Sequence, residues 1–86
     1  MNERELLQRL RRGQLANVSF GDFVSLVEAF GFAQERISGS HHIFRHQTLA
    51  VRLNLQPYGG QAKPYQLRQF LRAVEQHGLR WGGDDR

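Results

Sequence analysis

The stretch "GSHHIFRHQTLAVRLNL", residues 39–55, decides how this chain folds. In its second half, Leu49, Val51, Leu53 and Leu55 alternate with Ala50, Arg52, Asn54 and Gln56. Apolar residues at every second position predict a strand with one buried face. Gly39-Ser40 reads as a turn. The run "HHIFRH" then predicts a strand leaving that turn, with Gln47-Thr48 as the hairpin connection to the next strand. Upstream, "AQERIS" (residues 33–38) supplies a first strand and completes a three-stranded antiparallel sheet.

Helical patterns flank the sheet. Ser19 and Asp22 form an S-x-x-D capping box, and Val18 and Phe23 stand at the positions of a hydrophobic staple. Phe23, Leu26, Val27 and Phe30 recur at helical spacing up to Gly31. After the breaker-rich "QPYGGQAK", Pro64 opens a last helix, and Leu67, Phe70, Leu71 and Val74 form its apolar face until Gly78. A further short helix is predicted at the N-terminus, capped by Asn2 with Glu5 three residues on and stopped at Gly13. Its stripe of Leu6, Leu7 and Leu10 is narrow, so it reads as peripheral. The order is α–α–β–β–β–α, an α+β fold with helices over one sheet face and the opposite face open. A single domain is expected over residues 1–86: a helical extension over 1–18, a core over 19–79 and a flexible tail over 80–86.

Composition narrows the function classes. The absence of cysteine excludes disulfides and thiolate metal sites. The N-terminus is charged from residue 3 and lacks the apolar region of a secretory signal. The most apolar stretch, "FVSLVEAFGFA", is too short to span a bilayer and carries Glu28. The chain reads as soluble and cytoplasmic, with no membrane partner. Twelve Lys and Arg oppose eight Asp and Glu, giving a net charge of +4. That balance favours a polyanion or an acidic protein as partner.

The chemistry-bearing residues are histidines, three of four falling within residues 41–46. His42 and His46 would chelate one ion on a helix, but on a strand they stand ~13 Å apart. His41 and His42 are adjacent and so point to opposite faces. No metal site and no cofactor is expected. His46 and His77 read as structural or surface residues. His41 and His42 follow the turn, where an exposed imidazole can exchange a proton near neutrality. Arg45, Arg52, Lys63 and Arg68 are the candidate phosphate contacts, and with Gly39 and Ser40 of the turn they make up the candidate RNA-binding residues. A proton acceptor beside a bound phosphodiester can activate the 2′-OH of RNA, leaving a cyclic phosphate and a 5′-OH. A non-catalytic RNA-binding or protein-interaction module is the alternative, although pure phosphate binding is better served by Arg or Lys than by paired histidines.

"GSHHIF" between an amphipathic helix and a hairpin, followed by a helix ending "EQHGL", resembles the HicA family of toxin–antitoxin mRNA interferases. The resemblance covers roughly residues 20–79, and "LNLQPYGGQAKPYQLRQFLRAVEQHGL" is similar to a subgroup of that family. It implies a fold like that of double-stranded-RNA-binding domains and a ribosome-independent endoribonuclease acting on mRNA. It also implies a HicB antitoxin as partner. Gly39 and Ser40 match the family's turn, and His41 or His42 its catalytic position. Two features depart from the family pattern: residues 1–18 have no counterpart in its shortest members, and Gln47 stands where proline often follows the Arg-His pair.

Overall fold

A computed structural model describes residues 2–82 of the chain. Helices α1 (Glu3–Arg11) and α2 (Phe20–Ala29) precede strands β1 (Phe32–Ser38), β2 (His41–His46) and β3 (Arg52–Leu55), and α3 (Pro64–His77) follows. The strands form one antiparallel sheet in the order β1-β2-β3. The fold is α+β, with an α-β-β-β-α core preceded by one more helix.

Phe44 lies at the middle of the central strand and is fully buried. It pairs with Gln34 on β1 and with Leu53 on β3. Side chains alternate along a strand, so His42, Phe44 and His46 share the helix-covered face with Leu53 and Leu55. His41, Ile43 and Arg45 share the open face with Arg52 and Asn54. Beneath the sheet, Phe70 of α3 meets the rings of Phe23 of α2 and of Phe30, which caps that helix, edge-on, with centroids 5.7 and 5.4 Å apart. Each such buried aromatic contributes about 1.5–3 kcal/mol relative to exposure.

Local signals behave as the sequence predicts at both early helix starts. The Asn2 side chain accepts from Glu5 N–H at 2.8 Å, and Ser19 Oγ accepts from Asp22 N–H at 3.1 Å. Strand β1 begins one residue earlier than expected, at Phe32, which is buried. From Ala33 onward β1 is exposed, as befits an edge strand. Its register shifts between Gln34 and Arg36, so Glu35 is a bulge residue. The bulge and the charges of Glu35 and Arg36 guard that edge against pairing with other chains.

Two expectations are corrected. The β2–β3 connection runs over residues 47–51, not Gln47-Thr48 alone. Neither residue readily takes the positive φ that a tight two-residue hairpin demands. The chain instead turns around His46: Gln47 N–H donates to Gly31 O at 3.0 Å, and His46 N–H to Val51 O at 2.9 Å. Leu49 consequently leaves the strand and is 41% exposed, despite fitting the alternation. The N-terminal helix is not peripheral: Leu6, Leu7 and Leu10 are buried in the common core against α2 and α3. A three-leucine stripe suffices because a short helix needs only one contact line in a groove already walled by two others. Trp81 is half-buried against that core, and the Arg4 guanidinium lies 4.5 Å from its ring centre. Of the expected tail, residues 83–86 lie outside the described residues.

Leu6→Ala or Leu10→Ala should lower unfolding stability by about 2–5 kcal/mol, the range for buried leucines. Urea denaturation of each variant checks this; a change under about 0.5 kcal/mol would return α1 to a peripheral role.

Candidate active site

Ser38 and His41 are paired across a two-residue connection, Gly39-Ser40. Gly39 adopts φ +62°, which a residue with a Cβ rarely takes. Glycine at the first central position is the pattern of a type II′ hairpin. The turn brings His41 and His42 to the start of β2, at one end of the sheet.

The two imidazoles are held differently. His41 is exposed on the open face, and its Nδ1 lies 3.0 Å from Asn54 Oδ1. His42 is half-buried on the helix side, with Nδ1 3.3 Å from Gln34 Oε1. Its ring packs against Phe20, the centroids 4.9 Å apart. With Nδ1–H donated to an amide oxygen, the Nε2 lone pair of each ring can take a proton. Both rings are thus oriented by a neighbouring strand, which the sequence alone does not reveal.

A polar chain joins the turn to α3. Gln56 Nε2 donates to Ser40 Oγ at 2.8 Å, and Lys63 Nζ donates to Gln56 Oε1 at 3.4 Å. Gln56 N–H donates to Oε1 of Gln66 at 3.1 Å, and Gln66 Nε2 donates to the Tyr65 hydroxyl at 3.2 Å. Gln66 is the one buried polar residue among the described residues, at 4% exposure. It fixes the end of β3 against the first turn of α3. Lys63, the residue before that turn, comes into the neighbourhood of Ser40 and carries a charge beside the positive end of the helix dipole.

The remaining candidates are spread out. Arg45 lies on the same face as His41, four residues along β2, or ~13 Å. Arg52 pairs with it across the hairpin and forms a bidentate ion pair with Glu35, Nε–Oε1 at 3.3 Å and Nη2–Oε2 at 3.4 Å. Arg68 lines a groove between α1 and α3 with Arg11 and Arg72, away from the turn. Of the six proposed contacts to RNA, Gly39, Ser40 and Lys63 therefore gather at the histidines, and Arg45, Arg52 and Arg68 do not. Gln34, Asn54, Gln56 and Phe20 complete the surroundings of the turn and were missed. Only strand register, not residue type, could have found them.

His46 is occupied elsewhere. Its Nε2–H donates to Phe30 O at 3.1 Å, while Nδ1 accepts from Thr48 N–H and Leu49 N–H, each at 3.2 Å. It clamps the end of α2 to the β2–β3 connection. A Cβ on Gly31 would come within 2.8 Å of its Nε2, so the clamp leaves no room for a side chain there. His77 is exposed in the last turn of α3. Among the described residues no group of three His, Cys, Asp or Glu is arranged to hold a metal ion. No helix among them is long and apolar enough to cross a membrane.

A family model described as "HicA toxin of bacterial toxin-antitoxin" matches residues 20–78. The chain belongs to the HicA toxin family. Neither a curated protein nor a solved structure matches it. The HicA match opens at the first residue of α2 and closes at the glycine after α3. It includes the turn, both imidazoles and Lys63, and leaves α1 outside. As a HicA toxin the protein is one half of a toxin–antitoxin pair.

His46→Ala should destabilise the fold by about 1–3 kcal/mol, because two loop N–H groups and one helix-end carbonyl lose their partner. Thermal unfolding checks the size. A His46→Ala protein as stable as wild type would refute the clamp.

Proposed function

We propose that this HicA toxin is an endoribonuclease that cleaves mRNA through a histidine at the Gly39-Ser40 turn, and that a HicB-type antitoxin silences it. The supporting observation is the pair of imidazoles at the turn, each held at Nδ1, beside Lys63 and the N-terminus of α3. A phosphodiester seated there would have its charge met by Lys63 and by the helix end, whose first turn contains no acidic residue.

The chemistry follows from the substrate. Nε2 of one imidazole takes the proton of the ribose 2′-OH. The 2′ oxygen attacks the adjacent phosphorus, and the bond from phosphorus to the 5′ oxygen breaks. The leaving oxygen gains a proton from an imidazolium or from water. The products are a 2′,3′-cyclic phosphate and a 5′-OH. The nucleophile is the RNA's own hydroxyl, so no metal-bound water is required. His41 and His42 point to opposite faces, so a single imidazole faces the scissile phosphate. The exposure of His41 on the open face supports His41. Its packing against Phe20 gives His42 the more fixed ring. Arg45, Arg52 and Arg68 would contact phosphates further along the strand without reading sequence. Such a substrate implies a cytoplasmic toxin.

A partner would inhibit by covering the turn, which is exposed among the described residues. An acidic antitoxin surface would compete with RNA for the same cationic neighbourhood, and opposite charge would speed the encounter.

Purified protein should cleave mRNA equally with and without EDTA. The His41→Ala/His42→Ala double variant should lose roughly 100-fold or more, the usual share of general acid–base catalysis. The single variants assign the role. Loss of activity in EDTA, or wild-type cleavage by the double variant, would overturn the mechanism. RNA binding without cleavage by the wild type would make the protein a non-catalytic RNA-binding module.

Lys63→Ala should weaken RNA affinity and flatten its salt dependence by about one counterion. Affinity measured across a salt series checks this. Co-expression with a HicB-type antitoxin should give a complex in which cleavage is lost; a complex that cleaves at full rate would rule out inhibition at the turn.

A further inference from the structure

Among the described residues the exposed large apolar side chains are Ile37, Leu49, Tyr58 and Tyr65, at 54%, 41%, 79% and 55%. The two tyrosines both belong to the surroundings of the histidine turn. Tyr58 follows two residues after Gln56, whose side chain is bonded to Ser40, so at most ~7 Å of chain separates their Cα atoms. Tyr65 is reached from the other side: Lys63 Nζ lies 3.4 Å from Gln56 Oε1 and 6.0 Å from the centre of the Tyr65 ring.

The loop that carries Tyr58 is stiff. Tyr58 N–H donates to Gln61 O at 2.9 Å, and Gln61 N–H returns to Tyr58 O at 3.0 Å, around Gly59-Gly60. Ala62 N–H donates to Val18 O at 2.8 Å, and Phe20 N–H donates to Gly60 O at 2.9 Å. Phe20 is also the residue that packs on His42. The loop is therefore tied to both sides of the turn. A large ring presented to water on a locked backbone contributes little to folding. It offers a flat apolar face at low entropic cost to a partner.

We propose that Tyr58, with Tyr65 as a second platform, stacks on unpaired bases flanking the phosphate held at the turn, and so confines this toxin to single-stranded RNA. The proposal rests on the RNA reading above. Bases in a duplex have both faces covered by their neighbours and cannot meet a protein ring without unstacking. In single strands every base has a free face, and an aromatic side chain binds it with little regard to sequence. The groups suit such a strand: two exposed rings in the neighbourhood of the polar Ser40, Gln56 and Lys63.

The test uses the catalytically inert His41→Ala/His42→Ala chain for binding and the otherwise wild-type chain for cleavage. The probe is an RNA oligonucleotide, alone or annealed to its complement. Tyr58→Ala should weaken single-strand binding by roughly tenfold. Tyr58→Phe, which keeps the ring, should restore most of it, and Leu49→Ala should have no effect. The wild type should cleave the single strand and spare the duplex. Equal affinity of Tyr58→Ala and its parent, with cleavage of RNA by the wild type intact, would overturn the platform and leave the RNA reading standing. So would equal cleavage of duplex and single strand. If Tyr58→Ala keeps RNA binding but loses the co-expressed antitoxin, Tyr58 is a protein anchor and the proposal falls. If the wild type neither binds nor cleaves any RNA, both readings fall together.

Discussion

Burial of Phe44 at the centre of the middle strand is the constraint on which the rest of this structure depends. The ring can lie only on the face covered by α2 and α3, because the other face is water. Once it does, the period of two along β2 places every neighbour. His42 and His46 follow Phe44 inward, and His41, Ile43 and Arg45 turn outward. A slip of β2 by one residue would exchange the two imidazoles and expose Phe44. The energy of the core thus sets the orientation of the side chains proposed to do chemistry.

A second requirement links the sheet to α3. Gln66 is buried where the end of β3 meets α3, and an unpaired amide there would cost about 1–3 kcal/mol. Both ends of its side chain are satisfied, by Gln56 N–H and by the Tyr65 hydroxyl. That bond holds Gln56 in reach of Ser40, and Lys63 in reach of Gln56. Three segments separated in sequence, the turn, the end of β3 and the start of α3, are gathered by one buried amide. The cationic group and the imidazoles become neighbours through it. The three histidines of β2 part company: His46 has both ring nitrogens engaged by backbone groups, which is a fastening role, whereas His41 and His42 are each held at Nδ1 by a side-chain amide.

The N-terminal helix shows how a short segment can be part of a core it does not resemble. Residues 20–78 carry the family match, yet Leu6, Leu7 and Leu10 are as buried as the phenylalanines of α2. For a chain of 86 residues the surface buried per residue is small, so each added apolar stripe counts. Arg4 over Trp81 closes the same layer from the other end of the chain.

What the sequence by itself determined were the features encoded locally. Asn2 and Ser19 cap their helices because a capping side chain needs only the N–H three residues ahead. Gly39 makes its turn because only its own φ matters. The α–α–β–β–β–α order follows from apolar period, and the Gly-Ser-His-His turn is visible as a string. Tertiary structure alone decided whatever depends on pairing. Leu49 fits the strand alternation but is expelled from it, because His46 captures the loop N–H groups beside it. Tyr58 looks like an ordinary loop tyrosine until Gln61, Gly60 and Phe20 fix its backbone near the turn. Gln34, Asn54, Gln56 and Gln66 are unremarkable amides in the sequence, and they find their partners 8 to 13 residues away or more across strands and helix. A hydrogen bond between side chains on different strands is set by register and by the bulge at Glu35, and neither leaves a mark on residue type. Short-range chemistry was therefore legible in the string, and the company each histidine keeps was settled only when the sheet closed around Phe44.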